Sequence, residues 1–230
     1  MVESTTQSLW LDDLAVVPKV SLTPEEYRVT EQSLAPVEAV ASLLRPLLPD
    51  SAGICVFGFA GDPEQRERFS SLGLGLVRTN MHWADAEPTK GTFDEAYWKT
   101  MRGYADSYAG CGTRMLLILA YGNPAYGGEW YEMPKTQERR AAFARFAAEA
   151  ARQFQGRKVM FELWNEPDGA VTAEEYMALA KVTIPAMRKA NRSVIVIGPG
   201  AHHYAADWLE KCFQHGLLNL LDAVSIHLYF

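Results

Sequence analysis

The sequence predicts an α/β protein built on a parallel sheet, a (β/α)8 barrel of the TIM type with about six of its eight strands present. Three observations carry this. From residue 51 onward, short apolar runs of strand length alternate with amphipathic segments of helix length, the pattern of right-handed βαβ crossovers. Polar and charged residues collect where those apolar runs end, the side on which a barrel places its chemistry. No Gly-x-Gly-x-x-Gly fingerprint follows the first apolar run, which weakens the competing doubly wound dinucleotide fold. A full barrel takes about 250 residues, so roughly two βα units are expected to be missing.

The elements follow in order. Gly53-Ile54-Cys55-Val56-Phe57-Gly58-Phe59 reads as the first strand. Asp62-Pro63-Glu64-Gln65 has the form of a helix start, and the helix runs to about Leu72, where Gly73 supplies a stop. The second strand covers 75–80, a helix covers 94–109, and the third strand covers 114–121. A helix over 136–155 puts Phe143, Phe146, Ala147, Ala150 and Phe154 on one face and Arg139, Arg140, Arg145 and Arg152 elsewhere. The fourth strand begins at Val159 and ends in Asn165-Glu166-Pro167. Thr172-Ala173-Glu174-Glu175 is a capping box for the next helix, which Pro185 is expected to kink or break. The fifth strand covers 193–198, a helix covers 204–215, and the sixth strand covers 221–229.

The residues before 51 have a different character. Residues 1–22 contain Ser8-Leu9-Trp10-Leu11-Asp12-Asp13-Leu14, which fits either the last strand of a preceding carbohydrate-binding β-sandwich or an arm lying on the main domain. Residues 23–50 read as a linker or outer helix opened by Thr23-Pro24-Glu25-Glu26, and 51–230 as the catalytic barrel. Residues 1–20 lack both a basic start and an apolar core, so no signal peptide is expected. An extracellular location is expected if the N-terminus is truncated, and a cytoplasmic one otherwise.

Composition narrows the function classes. With 230 residues, 48% apolar and 22% charged, the chain describes a globular core rather than a disordered segment. A net charge of −6 with no basic patch argues against nucleic acid, and no apolar run is long enough for a membrane span. Six tryptophans suit sugar-stacking platforms and core packing equally well. Cys55 and Cys212 lie in apolar segments, which favours buried thiols over a disulfide or metal site. His202-His203 lacks further ligands, so no metal and no cofactor are expected.

The centre of the chain is Val159-Met160-Phe161-Glu162-Leu163-Trp164-Asn165-Glu166-Pro167-Asp168. Pro167 has no N–H to extend a ladder and biases Glu166 toward extended geometry. That fixes a carboxylate at the carboxyl end of a buried strand, either as a functional acid or as an ordinary turn residue. Arg78 lies inside an apolar strand, where a cation needs an anionic partner, and Glu162 is one candidate. His227 and Tyr229 alternate on the sixth strand and share a face, which also fits a satisfied core histidine beside a strand-end tyrosine.

Trp164-Asn165-Glu166-Pro167 after an apolar strand resembles the strand-4 signature of the clan A retaining glycoside hydrolases, in particular families 5 and 39. Trp83-Ala84-Asp85-Ala86-Glu87-Pro88-Thr89-Lys90-Gly91-Thr92-Phe93-Asp94 resembles that clan's connection after strand 2, and His227-Leu228-Tyr229 its strand-6 pattern. The resemblance covers about 51–230. It implies that Glu166 is the acid/base, that Asn165 binds the sugar 2-hydroxyl, and that Arg78, His227 and Tyr229 serve the carboxylate pair. It implies a structural Glu87, and Trp83 as a wall of the sugar site. Trp130, Tyr131, His203 and Trp164 are further candidate contacts for a carbohydrate substrate. Retention needs two carboxylates about 5–5.5 Å apart, and the clan's nucleophile ends strand 7. No such strand is recognised here, and Asp85, Glu129, Glu132 and Asp168 match no nucleophile motif. The expectation is therefore a hydrolase fragment inactive on its own, with a non-catalytic sugar-binding barrel as the alternative.

Overall fold

A computed structural model describes residues 52–56, 67, 69, 71–203 and 205–228. The expected arm over 1–22, the linker over 23–50, most of the helix over 62–72, and Tyr229 lie outside those residues. Six strands form one parallel sheet: β1 Gly53–Cys55, β2 Leu76–His82, β3 Arg114–Ala120, β4 Val159–Leu163, β5 Val196–His202 and β6 Ala223–His227. They neighbour one another in chain order, β1-β2-β3-β4-β5-β6. A doubly wound sheet reverses its order at a switch point. Five successive connections without reversal, right-handed as such crossovers are, keep the helices on one face, and such a sheet curls. The described residues form six strands' worth of a (β/α)8 barrel.

The helices obey their sequence signals. The short α1, Trp83–Ala86, follows β2 directly. Asp94 caps α2, Glu95–Gly110, by accepting from the N–H groups of Ala96 (2.7 Å) and Tyr97 (3.3 Å). Thr136 caps α3, Gln137–Gln153, whose Phe143, Phe146, Ala147 and Ala150 are fully buried on the predicted face. Each phenylalanine so buried contributes roughly 1.5–3 kcal/mol. Thr172 and Glu175 close the predicted capping box at the start of α4, Ala173–Ala190. The last helix is α5, Ala206–Gln214. α3 and α4 pack side by side over the outer face of the sheet. The outward strand residues Val77, Leu117, Leu119, Leu163 and Val196 are fully buried beneath the helical layer.

Two expectations need correction. Pro185 does not break α4, which runs unbroken past it. It sits on the exposed side of the helix, where water can satisfy the carbonyl its missing N–H leaves unpaired. The fifth strand is 196–202, not 193–198. Asn191 explains the late start: its side chain accepts from Ser193 N (3.0 Å) and its carbonyl from Val194 N (3.2 Å), closing a turn there. The strand then continues through Gly198-Pro199-Gly200, with the irregularity absorbed between Pro199 and Ala201. Among the described residues no helix is long and apolar enough to cross a membrane, and no group of three acidic, His or Cys side chains could hold a metal. The three cysteines form no disulfide, and Cys111 is exposed.

Candidate active site

Register places the inward-facing residues. Arg78 on β2 pairs across to Leu116, and Glu162 on β4 lies between Ile118 and Ile197. Both therefore point into the barrel, where Arg78 Nε donates to Glu162 Oε2 at 2.8 Å and Nη2 lies 2.7 Å from the same oxygen. This is the ion pair that an arginine inside an apolar strand requires. Burial alone would push the Glu162 carboxyl up; the Arg78 guanidinium, the His227 ring and the Ser225 hydroxyl outweigh it and hold it at about 2. Glu162 is thus a fixed anion.

His227 on β6 joins this pair to the strand-4 tip. Its Nδ1 lies 3.0 Å from Glu166 Oε1, and its Nε2 lies 3.0 Å from Arg78 Nη2 and 3.7 Å from Glu162 Oε1. Burial and Arg78 push the imidazole down, while bonding to Glu162 and Glu166 pushes it up, and the net shift is upward. Arg78 Nη2 also donates to Asn165 Oδ1 at 2.7 Å, fixing the amide beside Glu166. The Glu166 side chain keeps 27% of its surface exposed, against 1% for Glu162. One carboxylate is sealed inside; the other faces the mouth.

Glu166 is not extended, contrary to the expectation drawn from Pro167. It is left-handed, with φ 50 and ψ 53, and Trp164 also has positive φ, 71. Such residues cost on the order of 1–3 kcal/mol each and persist where surrounding structure compensates. Here Glu166 N donates to Gly200 O at 3.0 Å, tying the turn to β5. Gly200 carries φ +62, and a Cβ there would meet Glu162 Oε1 at 3.0 Å and His227 Nε2 at 3.2 Å. Its N–H donates to Ser225 Oγ at 2.9 Å.

The remaining sequence-predicted residues separate. Tyr229 lies outside the described residues. Trp83, expected as a wall of the sugar site, is fully buried instead. It stacks on Tyr126 and Phe146, and its Nε1 donates to Glu87 Oε2 at 2.7 Å. Its position at the start of α1 turns it toward α3 and away from the mouth. Trp164 is also buried, edge-on to Tyr121 and tilted against Phe143, so little of its ring can meet a ligand. Glu87 is structural, accepting additionally from Gly91 N (2.8 Å) and from the Tyr126 hydroxyl. Trp130 and Tyr131 are exposed on the loop after β3. His203 is exposed with φ 52, its ring 4.0 Å from that of His202. Three site residues escaped the sequence reading: Gly200, Ser225 and Tyr121. Ser225 alternates with His227, and Tyr121 ends an apolar strand, so both left a signal. Burial raises the Tyr121 hydroxyl, Arg78 lowers it, Glu166 raises it, and a hydrogen bond to Asn165 lowers it; the net shift is upward.

A sheet of this order, with Asn-Glu-Pro at the fourth strand end over a buried arginine–carboxylate–imidazole cluster, defines a clan A glycoside hydrolase fold. The family model described as Cellulase (glycosyl hydrolase family 5) matches residues 61–221. The chain belongs to that family. Among solved structures it is similar to a family 39 glycoside hydrolase from the gut symbiont Bacteroides cellulosilyticus WH2, with 27% identity and a TM-score of 0.65 over 78% of this chain and 38% of that one. It shares its fold with the Pseudomonas stutzeri endoglucanase Cel5A in complex with cellobiose, at 15% identity and TM-score 0.53 over 65% and 50% of the two chains. It also shares it with endo-glycoceramidase II from Rhodococcus sp., at 17% identity and TM-score 0.52 over 66% and 48%. The chain spans half or less of the length of each of these structures.

Proposed function

We propose that this chain supplies the acid/base half of a retaining β-glycosidase acting on oligo- or polysaccharides. The observation that carries the reading is the contrast at the end of β4: Glu162 is sealed and held ionised, while Glu166, four residues further on, is partly exposed and hydrogen-bonded through Oε1 to His227 Nδ1. Glu166 then protonates the leaving glycosidic oxygen in the first step and takes a proton from water in the second. Asn165, oriented by Arg78, accepts or donates to the sugar 2-hydroxyl. Glu162 is a poor nucleophile because burial and the Arg78 pair keep it from an anomeric carbon. The attacking carboxylate of this mechanism therefore lies outside the described residues, at the end of the seventh strand, the one that would follow β6.

The test uses a pair of aryl β-glycosides with good and poor leaving groups, assayed on a protein containing these residues. Glu166→Gln is expected to lower kcat/KM for the poor leaving group by about 10²–10⁴. It should lower it far less for dinitrophenolate, which departs without a proton. The anomeric configuration of the first product, read by NMR, should be retained. Equal losses on both substrates, or an inverted product, would refute the assignment.

A further inference from the structure

A recess at the ends of β2 and β3 is lined by His82, Ala84, Asp85, Tyr121, Gly122 and Trp130. Tyr121 connects it to the site, since its hydroxyl lies within the influence of Asn165, Arg78 and Glu166. Trp130 is 55% exposed, yet its loop is held firmly. A Cβ on Gly122 would fall 2.5 Å from Glu129 O, 2.6 Å from Glu132 O and 3.2 Å from Trp130 O, so the turn lies directly on the end of β3. Arg139 Nη1 anchors the same turn through Glu132 Oε2 at 3.2 Å. Tyr121 and Tyr131 lie nearly perpendicular to the indole at 5.5 and 5.7 Å, and the indole still keeps more than half of its surface open to a ligand. Asp85 has no hydrogen-bond or ion-pair partner among the described residues.

A fixed, exposed indole beside an unpartnered carboxylate and an imidazole is chemically specific. The indole face matches the C–H face of a pyranose. A carboxylate with both oxygens open accepts two hydrogen bonds from adjacent hydroxyls, and such charge-assisted bonds are the stronger class. The same carboxylate repels a second one. Resting on the glycosidase reading above, we propose that this recess is a subsite for a neutral pyranose, with Trp130 as its stacking platform and Asp85 as the acceptor for a vicinal diol, and that Asp85 makes it reject uronates. His82 supplies a further polar contact at the rim, and Tyr121 joins the subsite to Asn165.

The experiment measures binding by the full chain of cellobiose, xylobiose, mannobiose and cellobiouronate, by calorimetry and tryptophan fluorescence. The parent, Trp130→Ala, Trp130→Phe and Asp85→Asn are compared, with thermal unfolding as the folding control. At least one neutral disaccharide should bind about ten-fold or more tightly than cellobiouronate. Trp130→Ala should weaken it at least ten-fold, while Trp130→Phe retains most of the affinity. Asp85→Asn should narrow the gap about five-fold by strengthening cellobiouronate, a gain that a purely structural residue would not give. Neutral binding that persists in Trp130→Ala, with an unchanged gap in Asp85→Asn, overturns the subsite and leaves the glycosidase reading standing. Failure of the parent to bind any of the four sugars overturns the subsite, while the leaving-group test on Glu166→Gln decides the glycosidase reading separately.

Discussion

Glu162→Gln should be strongly destabilising, and the penalty should depend on pH. The substitution leaves Arg78, whose side chain is only 11% exposed, without its anion. Breaking a buried pair by removing one partner costs about 3–5 kcal/mol. The carboxyl itself gives a second route to the number: it moves from an ordinary 4.5 to about 2 on folding. A shift of that size is worth about 3 kcal/mol at 1.36 kcal/mol per unit. Because the folded value is the lower one, this stability is fully present above pH 4.5 and is lost as pH falls toward 2. At pH 3 the linkage relation leaves only about 1 kcal/mol of it. Urea unfolding of parent and variant at pH 7, 4 and 3 measures the gap directly. The gap should be about 3 kcal/mol at pH 7 and should shrink by about 2 kcal/mol at pH 3, other carboxylates cancelling between the two proteins. A gap that is the same at both pH values, or absent at pH 7, would refute the claim that Glu162 is a stabilising anion.

Other outcomes follow from the same contacts. His227, raised above 6.5 by Glu162 and Glu166 despite burial and Arg78, contributes stability that is present below pH 6.5 and lost as pH rises through its folded value. The parent should therefore lose stability in thermal scans as pH rises above 6.5, and His227→Gln should flatten that slope. Gly200→Ala forces a Cβ into φ +62 and against Glu162 and His227, and should cost about 1–3 kcal/mol; on the proposed function it should also lower aryl β-glycoside hydrolysis by a protein containing these residues. Wild-type activity in that variant would disconnect the β5 bulge from the site. Thr172→Ala removes the hydroxyl that accepts from Glu175 N, and should lower stability by about 1 kcal/mol without touching sugar binding.

The parts of this molecule that could be read from sequence are those where one residue's need has one solution. Arg78 in an apolar strand needs an anion, and Glu162, two strands away in the same inward layer, is the one it finds. The face of α3 and the Thr172 capping box are set by periods and offsets of a few residues. What stayed hidden depends on geometry between distant segments. Trp83 could serve the mouth or the core from its place after β2, and only the packing of α3 decides for the core. A fifth strand running through Gly198-Pro199-Gly200 contradicts local propensity, and survives because Ser225 on β6 accepts the Gly200 N–H. Pro167 argues for an extended Glu166, yet the bond from Glu166 N to Gly200 O overrides it.

That last reversal bears on mechanism. Residues 162 and 166 are an even number apart, so a strand that continued straight would turn both carboxylates into the barrel, one above the other. Left-handed backbone at Trp164 and Glu166 ends that alternation and turns the second carboxylate to the surface. One imidazole then spans the two, with Nδ1 toward Glu166 and Nε2 toward Arg78 and Glu162. In the neutral ring, Arg78 can only donate to Nε2, because a guanidinium has no acceptor. The ring proton then sits on Nδ1 and points at Glu166, so the buried ion pair sets the tautomer that holds the exposed carboxylate in place. The strain at Glu166 and the anion at Glu162 are thus parts of one arrangement, in which the inner carboxylate stays ionised at neutral pH while the outer one is held at the mouth by the imidazole between them.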